Sequence, residues 1–96
     1  MVDKLTDTQR EDALRTLNGW VYDAPRQAIT HVFKFKDFSE AFGFISRVAL
    51  AAQQADHHPD WSISYNSVTI SLSTHDAGGL SEKDIALAQA IDKLLA

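Results

Sequence analysis

Pro59 separates two kinds of hydrophobic periodicity, and that change of period limits what this chain can fold into more than any other feature of its sequence. Before it, Phe38, Ala41, Phe42, Ile45, Val48, Ala49, Ala52 and Ala55 recur at helical spacing. After it, Trp61, Ile63 and Tyr65 alternate with Ser62 and Ser64, and Val68, Ile70 and Leu72 alternate with Thr69, Ser71 and Ser73. Period two over two short runs describes a hairpin with one buried face. Asn66-Ser67 is the expected two-residue turn, pairing Tyr65 with Val68, Ile63 with Ile70 and Trp61 with Leu72. Continued outward, that register sets His58 opposite His75.

The remaining elements follow from caps and breakers. Thr6-Asp7-Thr8-Gln9 fits a capping box ahead of Ala13, Leu14 and Leu17, so a first helix is expected from Leu5 to Leu17, stopped by Asn18-Gly19. Trp20 to Asp23 and Gln27 to Phe35 read as strands joined at Ala24-Pro25-Arg26, the second placing Ile29, His31, Phe33 and Phe35 on one face. Asp37-Phe38-Ser39-Glu40 caps the long helix, whose stripe is widened by Phe44 and Ala51. Core burial alone explains that width, and so does a core on one flank with a partner on the other. Ser81-Glu82-Lys83-Asp84 opens a last helix to Leu95, with Ile85, Leu87, Ala88, Ile91, Leu94 and Leu95 inward. The expected fold is α+β, one domain over residues 1–96 in the order α-β-β-α-β-β-α. Its four-stranded antiparallel sheet carries the helices on one face.

Composition narrows the function classes. At 96 residues the chain supports one core, burying about two-thirds of its unfolded surface. No apolar run approaches the ~20 residues of a membrane helix. With no cysteine, and with Met1-Val2-Asp3-Lys4 in place of an apolar leader, a cytoplasmic location is expected, and thiol and cysteine-zinc chemistry are excluded. A net charge of −4 without a basic block argues against nucleic acid as a partner.

Three of the four histidines lie in Asp56-His57-His58-Pro59-Asp60-Trp61 and Ser73-Thr74-His75. Imidazole is the side chain best suited to proton transfer near neutral pH, so His57, His58 and His75 are the candidate catalytic residues. They are expected to cluster at the open end of the second hairpin, where the Gly78-Gly79 loop leaves the sheet. His31, isolated in a strand, reads as a packed or half-exposed structural residue. Three imidazoles could instead ligate zinc, although adjacent side chains such as His57 and His58 tend to diverge.

At these residues the chain resembles the pterin-4a-carbinolamine dehydratase family, also called the dimerisation cofactor of hepatocyte nuclear factor. The resemblance runs from about Leu5 to Leu94 through Lys34-Phe35-Lys36-Asp37-Phe38, Ala41-Phe42-Gly43-Phe44, Arg47-Val48-Ala49-Leu50, the two histidine motifs and Gly79-Leu80-Ser81-Glu82-Lys83-Asp84-Ile85. The family's paired histidines and proline, aromatic, later histidine and aspartate fall on His57, His58, Pro59, Tyr65, His75 and Asp84. One position departs: four residues before His57 the family usually carries a charged side chain, often glutamate, and this chain has Gln53.

The resemblance implies loss of water from a 4a-hydroxytetrahydropterin to give the quinonoid dihydropterin, in recycling the cofactor spent by aromatic amino acid hydroxylases. One acid and one base suffice for such a step, and no metal or other cofactor is required. His57 and His75 are then expected to move protons, with His58 positioning substrate or sharing the acid role. Asp56, Pro59, Trp61, Ser73, Thr74 and Asp84 are the expected substrate-binding residues. Asp56 and Asp84 could also orient imidazoles. For Asp84 a plain helix cap stands beside site chemistry, and for Trp61 a core position stands beside a wall for the pterin. The implied partners are a pterin, further copies of the chain as homodimer or homotetramer, and a functional link to a hydroxylase, with neither membrane nor nucleic acid. The rival class is a non-enzymatic interaction module docking another protein on the Phe38 to Ala55 helix.

Overall fold

Residues 2–95 are described by the computed structural model. The elements follow the expected order: α1 (Asp7–Leu14), β1 (Val21–Asp23), β2 (Ala28–Lys34), α2 (Phe38–Ala55), β3 (Asp60–Ser64), β4 (Ser67–Leu72) and α3 (Glu82–Lys93). The strands form one antiparallel sheet in the order β1-β2-β4-β3. Side-chain alternation sends Ile29, Phe33, Val68, Ile70 and Leu72 to one face, where they meet Ala41, Phe44, Ile45, Val48 and Ala52 of α2 and Leu87, Ala88 and Ile91 of α3. Burial of a ring such as Phe44, wholly enclosed here, contributes roughly 2 to 3 kcal/mol. The opposite sheet face carries Thr30, Val32, Thr69 and Ser71 and is uncovered or half-covered. No helix among the described residues is long and apolar enough to cross a membrane.

Both Asp37 and Thr6 cap as their sequences predict, through side-chain bonds to Glu40 N–H and Gln9 N–H. Several boundaries differ from expectation. Helix α1 ends at Leu14, not Leu17, and continues as separate turns in which Thr16 N–H and Leu17 N–H donate to Ala13 and Leu14 carbonyls. It buries no residue of its own and is held by the Arg10 guanidinium 4.1 Å over the Tyr22 ring and by Leu5 N–H bonding Leu80 O. Strand β1 starts one residue late, at Val21, and β2 runs from Ala28 to Lys34 instead of Gln27 to Phe35; its late start follows from the 3-10 turn at Ala24–Arg26, which Gln27 leaves in a left-handed conformation. On α2, Phe38, Phe42 and Ala55 face outward, while Phe44 sits at the centre of the buried stripe rather than on its flank.

The larger correction concerns the second hairpin. Its turn is Tyr65-Asn66, not Asn66-Ser67, so Ser64 pairs with Ser67, Ile63 with Val68 and Trp61 with Ile70. Tyr65 takes a left-handed backbone (φ 52°) and is exposed. Asn66 cannot move into the strand pattern because Phe35 holds it twice: Phe35 N–H donates to Asn66 O, and Asn66 Nδ2 donates to Phe35 O. The face of each residue from Trp61 to Ser64 is unchanged, but each partner moves two places, and the pairing of His58 with His75 does not form. The ladder ends at Asp60–Ser71.

His31 is packed as expected, its ring stacked 3.9 Å from Phe33 and edge-on to Trp20 at 5.4 Å. Gly19 lies against it. A Cβ there would come 2.2 Å from His31 Nε2, on a backbone at φ 87°. Gly19→Ala is therefore expected to cost about 2 kcal/mol in strain and overlap, a fall in Tm of roughly 10 °C for a domain of this size. Thermal melts check this, and the loss should shrink in a Gly19→Ala, His31→Ala double variant compared with the sum of the singles.

Candidate active site

The end of α2 fixes where the paired histidines go. Asp56 adopts a left-handed backbone (φ 52°), its N–H bonds Gln53 O, and His57 N–H reaches back to Ala52 O at 3.1 Å. This 6→1 and 5→2 pair is a Schellman motif, which satisfies the last helical carbonyls and turns the chain sharply. The turn drives His57 inward and leaves His58 outside. Only 11% of the His57 side chain is exposed.

A second, local structure receives His57. Beyond β4 the chain makes a 3-10 turn at His75–Ala77 and doubles back, so that Thr74 and Gly79 exchange backbone hydrogen bonds. A Cβ at Gly79 (φ 159°) would come 2.9 Å from Gln27 Oε1 and 3.0 Å from Lys4 Cε, so both side-chain ends would have to shift to admit one. The returning strand delivers Ser81 to the start of α3, where it caps the helix and Asp84 answers it as third residue of the capping box.

Asp84 is wholly buried and accepts at both oxygens. Oδ2 takes Ser81 N–H at 2.9 Å and the Thr74 hydroxyl at 2.8 Å. Oδ1 takes His57 Nε2 at 2.6 Å. The Thr74 and Ser81 hydroxyls lie 2.6 Å apart, and Ser81 Oγ accepts from Lys83 N–H at 3.2 Å. The two sequence readings of Asp84, cap and site, thus fall on its two oxygens. Ser81 was read from sequence only as a cap. Its place beside Thr74 could be sensed only from the need of a buried hydroxyl for a partner.

The other candidate residues are distributed around this buried pair. His58 is exposed, and its Nε2 donates to Gln53 Oε1 at 3.2 Å, so the amide standing in place of the family's usual charged residue does engage an imidazole. His75 is exposed at the start of its turn, and Ser73 is exposed beside it. Asp56 has an exposed carboxylate with no side-chain partner among the described residues; its backbone shapes the turn. Pro59 is half-buried. Trp61 is not a core residue: it lies 42% exposed on the edge strand β3. Thr74 is buried, with its hydroxyl on Asp84 and both backbone groups on Gly79. Of the three histidines, His57 alone lines the cleft of about 320 Å³ between α2 and α3, with Ala51, Gln54, Lys83, Ala86 and Ala90. Among the described residues no group of three His, Asp or Glu side chains is arranged to hold a metal ion. The arrangement is one oriented imidazole backed by a buried carboxylate, with two exposed imidazoles, His58 next to it in sequence and His75 at the turn after β4, residue types suited to proton transfer.

Comparison with known proteins agrees with the resemblance seen in the sequence. The family model for pterin 4 alpha carbinolamine dehydratase matches residues 3–94. A Rhodospirillum rubrum protein is 58% identical over 95 residues, spanning 99% of both chains, and a Rhizorhabdus wittichii protein is 55% identical, spanning 97% of this chain and 96% of its own. Both bear the name "Putative pterin-4-alpha-carbinolamine dehydratase". A Brucella melitensis crystal structure described as a transcriptional coactivator/pterin dehydratase superposes with a TM-score of 0.94 at 45% identity, covering 98% of this chain and 100% of that one.

Proposed function

The chain belongs to the pterin 4 alpha carbinolamine dehydratase family, and from that premise we propose that it removes water from a 4a-hydroxytetrahydropterin by histidine acid/base catalysis, releasing the quinonoid dihydropterin. In this reaction the C4a–O bond breaks and its electron pair leaves with oxygen, which takes a proton from an acid and departs as water. The N5–H proton passes to a base, and the electrons of that bond form the C4a–N5 double bond. One proton is given and one taken, so two imidazoles close the cycle without a redox partner. His57 and His75 carry those transfers, while His58, steadied by Gln53, positions the substrate. Asp56, Pro59, Trp61 and Ser73 border the pterin, and Thr74 and Asp84 act from behind His57. Recycling of a hydroxylase's pterin cofactor is the proposed context, in the cytoplasm.

The observation that supports this reading most is the 2.6 Å bond between His57 Nε2 and the buried Asp84. A carboxylate behind an imidazole fixes its orientation and favours a single tautomer, an arrangement typical of acid/base sites. Self-association belongs to the same reading as homodimer or homotetramer, since Phe38, Phe42 and Leu50 lie exposed along α2. That face is also what a non-enzymatic module would use. Mixing the purified protein with freshly generated 4a-hydroxytetrahydropterin and following absorbance separates the two. Acceleration over buffer that survives exhaustive chelation is expected. No acceleration, or full activity in a His57→Ala, His75→Ala double variant, would sink the dehydratase reading, and loss on chelation would point to a metal.

A further inference from the structure

Hydrogen-bond order in the buried network determines more than where His57 sits. Asp84 Oδ2 receives the Thr74 hydroxyl proton, so Thr74 has no proton left for Ser81, and the 2.6 Å contact between the two hydroxyls must run from Ser81 to Thr74. Ser81 Oγ gives that proton while a lone pair accepts Lys83 N–H, so donor and acceptor roles of the one hydroxyl are both filled. With Oδ2 occupied by Thr74 and by Ser81 N–H, the carboxylate cannot swing, and Oδ1 is left aimed at His57.

We propose that Thr74, backed by Ser81, is a positioning residue. It locks the Asp84 carboxylate so that His57 keeps its Nε2 proton and exchanges protons only through Nδ1. Nε2 lies 2.6 Å from the wholly buried Asp84, and Nδ1 has no hydrogen-bond partner among the described residues. The inference moves Thr74 from a pterin-contacting role to one exerted through Asp84. The assignment of the labile proton to Nδ1 as the catalytic one rests on the dehydratase reading, whereas the tautomer itself does not.

Long-range proton–nitrogen NMR of the histidine rings in the full chain, without substrate, reads the tautomer directly. Wild type is expected to show neutral His57 as the Nε2–H form. Thr74→Val removes the hydroxyl at nearly constant volume and is expected to mix the two tautomers and lower kcat by roughly tenfold with KM little changed, the scale usual for partners that orient an imidazole from behind. Thr74→Ser restores the hydroxyl and should restore both readouts, which a merely structural effect of lost methyl packing would not do. An Nδ1–H form in an active wild-type protein overturns the inference, as does a Thr74→Val variant with unchanged tautomer and kcat. Should Thr74→Val fail to fold, the wild-type spectrum and Thr74→Cys, whose thiol is a weak donor, decide it. An inactive wild type with the Nε2–H form overturns the dehydratase reading instead.

Discussion

His57→Ala is expected to lower kcat for dehydration by roughly 10² to 10⁴, the usual contribution of a positioned proton-transfer group. His57→Gln should lose as much activity while staying folded, because its side-chain N–H₂ can still donate to Asp84 and leave no buried acceptor bare. The pair of variants therefore separates chemistry from scaffolding. His75→Ala, at an exposed turn, is expected to lower kcat to a similar degree with Tm unchanged, whereas His58→Ala, beside Gln53, should act mainly on KM. Because the two transfers serve one bond rearrangement, the double His57, His75 variant should fall short of the product of the singles. Steady-state kinetics with melts on the same samples checks this, and a His57→Gln enzyme retaining most of its kcat would remove His57 from the chemistry.

Asp84→Ala is expected to be the most destabilising single change, at about 4 kcal/mol out of the roughly 5 to 15 available to such a domain. It strands three donors in the interior: His57 Nε2–H, the Thr74 hydroxyl and Ser81 N–H. It also removes half of a capping box. Asp84→Asn should cost about 2 kcal/mol, since an amide can accept on one side only and must turn its N–H₂ toward donors on the other. In denaturant titrations the midpoint should fall with the slope m unchanged. An Asp84→Ala protein within about 1 kcal/mol of wild type would mean that water or a rearranged loop satisfies those donors.

What could be read in advance divides along physical lines. Element order, caps at Thr6, Asp37 and Ser81, and the buried faces of β2 and β4 were legible because local propensity and periodicity agree there. The hairpin register was misplaced because Asn is ordinarily the residue that tolerates a left-handed backbone, and here Tyr65 takes it while Phe35 holds Asn66. Nothing in the residues around the turn announces a tertiary constraint from β2. The same holds for the site. That Asp84 could orient an imidazole was readable from its type and motif, but the choice of His57 over His58 depends on the turn at Asp56. The outward placement of Phe38 and Phe42 was not legible either, since a helix wider in apolar residues than its core contact looks the same in sequence whichever flank is buried.

The buried network also has a chronology. Thr74, Ser81 and Asp84 are bonded across separations of 3 to 10 residues, while His57 joins Asp84 across 27. Closing the longer loop costs about 0.9 kcal/mol more in chain entropy than closing the ten-residue one. The carboxylate and its two hydroxyls can therefore assemble as a receptacle on their own stretch of chain, and His57 arrives when α2 docks. The expected order in folding is therefore socket first and imidazole second, with burial of His57 reporting the docking of the end of α2 against the start of α3.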